Sequence, residues 1–203
     1  GDRAGQIQAL VYAGEGQAAL GRYGQAAAVL DRALKVAEGS PDRSNVPWIL
    51  SRLGNILIAT GPADAAETTL RRALQMAREG GGAPLTIAVL NDLGNFLTVR
   101  RQNAEAVAAY RESVTIAERT GDTAQAMRGR VNLARALRLS GDALGARQAL
   151  DPVLASAEAL APSRGASLLL ISAGVGYHEL RAAGRDPGNE LLLRRGPALG
   201  RAK

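Results

Sequence analysis

Residues 50–73 read Leu50-Ser51-Arg52-Leu53-Gly54-Asn55-Ile56-Leu57-Ile58-Ala59-Thr60-Gly61-Pro62-Ala63-Asp64-Ala65-Ala66-Glu67-Thr68-Thr69-Leu70-Arg71-Arg72-Ala73, and this stretch decides the fold. Leu50, Leu53, Leu57 and Ile58 recur at three- and four-residue steps, and Ala66, Leu70, Ala73 and Leu74 do the same. That spacing lines up apolar side chains along one face of an α-helix. Between the two runs stands Thr60-Gly61-Pro62, with Gly past one helix end and Pro near the next start. The stretch predicts two antiparallel helices joined by a tight turn.

The same unit recurs along the chain at a spacing of 40 residues. Gly21-Arg22-Tyr23-Gly24-Gln25-Ala26 is matched by Gly61 to Ala66, by Arg101-Gln102-Asn103-Ala104-Glu105-Ala106, and by Gly141-Asp142-Ala143-Leu144-Gly145-Ala146. Four residues after each terminal Ala come Leu30, Leu70, Tyr110 and Leu150; seven before each segment come Gly14, Gly54, Gly94 and Ala134. The small residues have a steric reason. Where two helices of a hairpin approach closely, a Cβ would push them apart, and large residues between these points fill the remaining volume. One hairpin cannot cover its own apolar faces, so several must stack. Pro47, Pro84 and Pro162 fall near predicted starts of first helices, whereas Pro152 falls inside the fourth second helix, where a kink is expected.

Leu50-x-x-Leu53-Gly54-x-x-Leu57 followed by Gly61, Ala66, Leu70 and Ala73 resembles the tetratricopeptide repeat signature, with Leu in place of its usual Trp. Leu90-x-x-Leu93-Gly94-x-x-Leu97 with Ala106 and Tyr110 is similar; the first unit matches mainly in its second helix, and the fourth has Ala134 for Gly. The 40-residue period resembles the kinesin-light-chain-like variety common in bacterial proteins. Ser113 to Asp122 looks like the repeats that precede CHAT protease domains. The resemblance implies an all-α fold: a right-handed α-α superhelix, or solenoid, of four to five antiparallel helix hairpins. It would span residues 1–182, with repeats near 5–42, 44–82, 84–121 and 124–160 and a partial one at 163–182. Residues 183–203 would form a C-terminal cap or basic tail, since Gly184, Pro187, Gly188, Gly196 and Pro197 break any matching second helix.

Composition agrees with this reading. Aromatics make up only 3% of 203 residues, so the core must be built from Leu, Ala, Val and Ile, and Ala suits closely packed helices. Cysteine is absent, which removes disulfides, thiolate nucleophiles and Cys-ligated zinc. No apolar run is long enough to span a membrane. A cytoplasmic location is expected, with the periplasm as the alternative. The net charge is +6, but Arg181, Arg185, Arg194, Arg195, Arg201 and Lys203 against Asp186 and Glu190 place six minus two, or +4, in the last stretch. A basic tail on a near-neutral body argues against a nucleic-acid partner.

Catalytic signatures do not assemble. Gly14-Glu15-Gly16-Gln17-Ala18-Ala19 fits a dinucleotide fingerprint, but it lies inside a helical repeat with no strand before it. Gly174-Val175-Gly176 is no stronger. His178 is the single histidine and has no recognisable partners for a triad or metal site. No catalytic, cofactor-binding or metal-binding residue is expected, no cofactor is implied, and the chain reads as a non-enzyme.

The resemblance does suggest a binding face. In a tetratricopeptide stack the first helix of each hairpin lines a concave groove. The positions that face it are the two after the first signature Leu and the one after the signature Gly. Here they hold Ser51, Arg52 and Asn55; Asn91, Asp92 and Asn95; and Val131, Asn132 and Arg135, with Arg128 and Arg138 at helical spacing from Arg135. Asn carries a donor and an acceptor and can pair with an extended peptide backbone; alternatively it only solvates the helix. Lys is missing at Val11 and Ser51, where a C-terminal carboxylate clamp would want it. Trp48 is either a groove aromatic or a packing residue. The expectation is a protein- or peptide-binding scaffold that holds an extended, acidic segment through Arg52, Asn55, Asn91, Asn95, Arg128, Asn132, Arg135 and Arg138. The alternative is the sensor or regulatory arm of a larger transcription regulator, signalling ATPase or CHAT protease.

Overall fold

The computed structural model describes residues 2–61, 63–156, 173, 174 and 176. Expectations on Pro62, Pro162, His178 and the 183–203 tail lie outside the described residues, as does almost all of the partial hairpin at 163–182. Every described element is helical. The chain divides into two compact units, residues 1–99 and 100–203.

The first unit holds α1 (Arg3–Ala19) and α2 (Tyr23–Glu38), α3 (Val46–Thr60) and α4 (Ala63–Met76), and then α5 (Gly82–Val99). The second holds α6 (Asn103–Arg119), α7 (Thr123–Leu139) and α8 (Ala143–Ala155). The second helices thus start at Tyr23, Ala63, Asn103 and Ala143, each 40 residues after the last.

The turns follow from local chemistry. After α1, α6 and α7 the chain passes through Gly21, Gly121 and Gly141 at φ of 72°, 73° and 90°, a left-handed region that Gly enters without steric cost. The next amide reaches back to the helix: Arg22 to the Gln17 carbonyl, Asp122 to Ala117 and Asp142 to Leu137, each at 2.9 Å. Asp122 and Asp142 then cap the following helices, their Oδ1 atoms accepting from the amides of Gln125 at 3.0 Å and Gly145 at 2.8 Å. Gly61 is extended instead, at φ −110° and ψ 178°, because it precedes Pro62. Arg101 occupies the turn position at φ 60° without being a glycine.

Between α4 and α5 the helical turns run on as far as Gly82, where the backbone leaves the helical region at φ 71° and ψ 171°. Ala77–Gly81 form a π-helical turn, followed by Gly82 at φ 71°. Thr86 secures it, its hydroxyl donating to the carbonyls of Gly82 at 2.9 Å and Ala77 at 3.2 Å. Pro152 lies inside α8, as the sequence predicts.

The core is the repeated apolar register. Ala26, Ala66, Ala106 and Ala146 are buried, as are Leu30, Leu70, Tyr110 and Leu150. In the first unit a Cβ built on Gly14 would sit 2.8 Å from Leu30 Cγ, and one on Gly54 would sit 2.7 Å from Leu70 Cγ. These glycines are where the hairpin helices touch. In the second unit Gly129 on α7 marks a close approach between successive hairpins, where a Cβ would sit 2.8 Å from Val114 Cγ2 on α6.

Candidate partner-binding site

In the first unit α1, α3 and α5 are the first helices of their repeats; α1 touches α3 and α3 touches α5. The Arg52 guanidinium on α3 donates from Nη2 to Asp92 Oδ2 on α5 at 3.3 Å. The Ser51 hydroxyl donates to the same oxygen. Arg52 and Asp92 are 40 residues apart, so equivalent positions of neighbouring first helices stand side by side on this face. The ion pair is partly sheltered, with side-chain exposures of 30% and 17%.

Two further atoms belong to this cluster. Asn91 Oδ1 and Arg52 Nε are buried and have no hydrogen-bond partner among the described residues. A polar atom left buried and unpaired costs about 1–3 kcal/mol, and here an acceptor and a donor are left open on adjacent elements. One turn further along each helix stand Asn55, half-buried, and Asn95, exposed. No hydrogen bond joins the Asn55 amide to another described residue.

The 40-residue register extends the face to α1. Gln8, Tyr12 and Glu15 occupy the positions of Trp48, Arg52 and Asn55. The Gln8 amide donates to the Tyr12 hydroxyl at 3.2 Å, and Tyr12 is 58% exposed. Trp48 is half-buried. The sequence reading did not single out Gln8, Tyr12 or Glu15 because the first repeat lacks the Leu-x-x-Leu-Gly signature in its first helix. The register alone could have found them.

In the second unit α7 carries Arg128, Arg130, Arg135 and Arg138 and no acidic residue. Arg130 pairs with Glu118 on α6. The Arg135 guanidinium donates to the hydroxyl of buried Tyr110 at 3.4 Å, which fixes its direction. Arg128 and Arg135 are exposed, and Asn132 between them and Arg138 beyond are half-buried. The expected residues therefore form two groups: Arg52, Asn55, Asn91 and Asn95 in the first unit, and Arg128, Asn132, Arg135 and Arg138 in the second. Arg52 is committed to Asp92. Ser51, expected to face the groove, is fully buried, and so is Val11 at the same register. The fingerprint-like Gly14 to Ala19 lies wholly inside α1, where Gly14 serves the contact with Leu30. Among the described residues no cluster of three His, Cys, Asp or Glu side chains could hold a metal. No described helix is long and apolar enough to cross a membrane.

Antiparallel hairpins at a fixed period, packed through Gly and Ala, with a polar stripe on the first helices, define a helical-repeat protein. The family model for the tetratricopeptide repeat matches residues 5–79 and 45–119, more than half of the chain, and the chain belongs to this family. No curated protein matches it. Among solved structures it is similar to a kinesin light chain with nearly identical TPR-like repeats from Podosopora anserina, at 17% identity, covering 96% of this chain and 95% of that one, with a TM-score of 0.78. It is also similar to BtubC (BKLC) from P. vanneervenii, at 19% identity over 98% and 82% of the two chains, TM-score 0.83. A Rap protein complexed with Competence and Sporulation Factor shares 12% identity over 94% of this chain and 53% of that one, TM-score 0.68.

Proposed function

We propose that this chain is a protein- or peptide-binding scaffold, without catalytic activity, whose first helices hold an extended segment of the partner. The observation that carries this reading is the open pair on the α3–α5 face, Asn91 Oδ1 as acceptor and Arg52 Nε as donor, both buried and unpartnered among the described residues. A peptide group offers one N–H and one C=O, the two partners those atoms lack. Asn55 and Asn95 stand one turn further along the same two helices and add amide groups to the face. In the second unit Arg128, Arg135 and Arg138 on α7 meet carboxylates of the bound protein, because a guanidinium can donate two parallel hydrogen bonds to one carboxylate. The family and the complexed Rap relative support a binding role.

The test is capture of a partner by the purified chain, followed by comparison of two variants. Asn55→Ala/Asn91→Ala/Arg135→Ala removes groups on first helices. Arg71→Ala/Arg72→Ala removes groups on α4, a second helix, where Arg71 pairs with Glu67 and Arg72 with Glu38. Binding should fall strongly in the first and stay near wild type in the second. The opposite result would place the site elsewhere.

A further inference from the structure

We infer that the α1–α3–α5 face takes a basic side chain, Lys or Arg, from the bound segment, seated against the ring of Tyr12 and the carboxylate of Glu15. This rests on the reading of the first helices as the partner-binding face and names what one part of that face selects.

The charge on the face has a definite sign. Its three rows in the 40-residue register are Gln8, Trp48 and Ala88; Tyr12, Arg52 and Asp92; and Glu15, Asn55 and Asn95. These positions carry Glu15, Arg52 and Asp92 as charged groups. Arg52 would repel a cation, but it donates to Asp92, and the pair is sheltered enough to cancel. Glu15 makes no ion pair with a described residue, so the face is left with one negative charge. The α7 group in the second unit is the reverse, with Arg128, Arg135 and Arg138 and no acid on that helix.

The aromatic groups point the same way. The chain has one tryptophan and four tyrosines, and Trp48 and Tyr12 both stand on this face. Tyr12 is 58% exposed, yet Gln8 holds its hydroxyl at 3.2 Å, so the exposed ring is steadied rather than free to swing. A held aromatic ring with a carboxylate one turn along the same helix can take a cation over the ring and pair its N–H groups with the acid. An acidic side chain at this spot would meet the charge of Glu15, while the charge of Arg52 is already offset by Asp92.

The experiment uses the full chain and a displayed library of random heptapeptides. Selected peptides are synthesised and titrated while the fluorescence of Trp48, the single tryptophan, is followed. The expected result is a shared Lys or Arg position whose replacement by Met weakens binding about tenfold. Glu15→Gln and Tyr12→Leu should each weaken binding by a similar factor, Tyr12→Phe should stay within about twofold because the ring remains, and added salt should weaken binding. Circular dichroism should be unchanged in all three variants. Selected peptides without a basic position, or with Kd values indifferent to Glu15→Gln and Tyr12→Leu, overturn the inference. If those peptides still depend on Asn55 and Asn91, the reading of the first helices stands and only the cationic assignment falls. If they are indifferent to every change on the first helices, both fall.

Discussion

Gly54→Ala adds one methyl group where the hairpin helices of the second repeat touch. The new Cβ would lie 2.7 Å from both Cγ and Cδ2 of Leu70. Carbon atoms in good contact are ~3.5–4.0 Å apart, so about 1 Å must be found. Leu70 is completely buried and cannot swing into water. Either α3 and α4 separate or Leu70 leaves its rotamer, and such overpacking costs ~1–3 kcal/mol. Against this, Ala is favoured over Gly in a helix interior by ~0.5–1 kcal/mol. The net expectation is a loss of about 1 kcal/mol, which for a chain of this size lowers Tm by ~2–4 °C. Gly16→Ala is the control. It lies exposed inside α1, with nothing within 4 Å of a new Cβ, so only the propensity gain remains and stability should rise by ~0.5–1 kcal/mol. The assay is urea unfolding followed by far-ultraviolet circular dichroism. Opposite signs for the two substitutions are expected. If Gly54→Ala stabilises as much as Gly16→Ala, the glycine is not required by the helix contact and the steric account of the repeat is wrong.

Arg101→Gly should stabilise by ~0.5–1 kcal/mol, because Arg101 sits at φ 60° in a position where Gly21 and Gly141 stand in other repeats; unchanged or lower stability would contradict the backbone account. Asp142→Ala should cost ~1 kcal/mol by removing the cap on the Gly145 amide, and thermal unfolding reads it directly. Asn91→Ala should leave the free protein as stable as before or slightly more so, since it deletes a buried oxygen that has no partner, while weakening partner binding by ~0.5–1.5 kcal/mol. A loss of both stability and binding would mean that Asn91 serves the fold.

Much of the fold was legible because the 40-residue period repeats a steric requirement. Gly14 and Gly54 lie at close helix approaches as the spacing implies, though the side chains they meet are Leu30 and Leu70, and the second helices begin one period apart. The path between α4 and α5 was not legible. The period puts a repeat boundary near residue 82, but it does not reveal that Ala77–Gly81 form a π-helical turn before Gly82, with Thr86 tying the carbonyls of Ala77 and Gly82 together. At the candidate site the polar stripe could be read from the sequence, but its wiring could not. Whether Arg52 faces a partner or Asp92 depends on how α3 lies against α5, and a pairing across 40 residues leaves no mark in either helix alone. The same packing buries Ser51, which the signature position alone would turn outward. Tyr12 and Glu15 stayed hidden because the first repeat keeps the period but not the leucines that announce it.

The most direct measurement places a photo-crosslinking amino acid at single positions of the full chain and maps where a captured partner attaches. Positions 55 and 95 on the first helices α3 and α5, and position 132 on α7, should crosslink to it, while positions 71 and 75 on α4 should not. Attachment confined to α4, with silent positions on α3, α5 and α7, would contradict the claim that the first helices form the binding face.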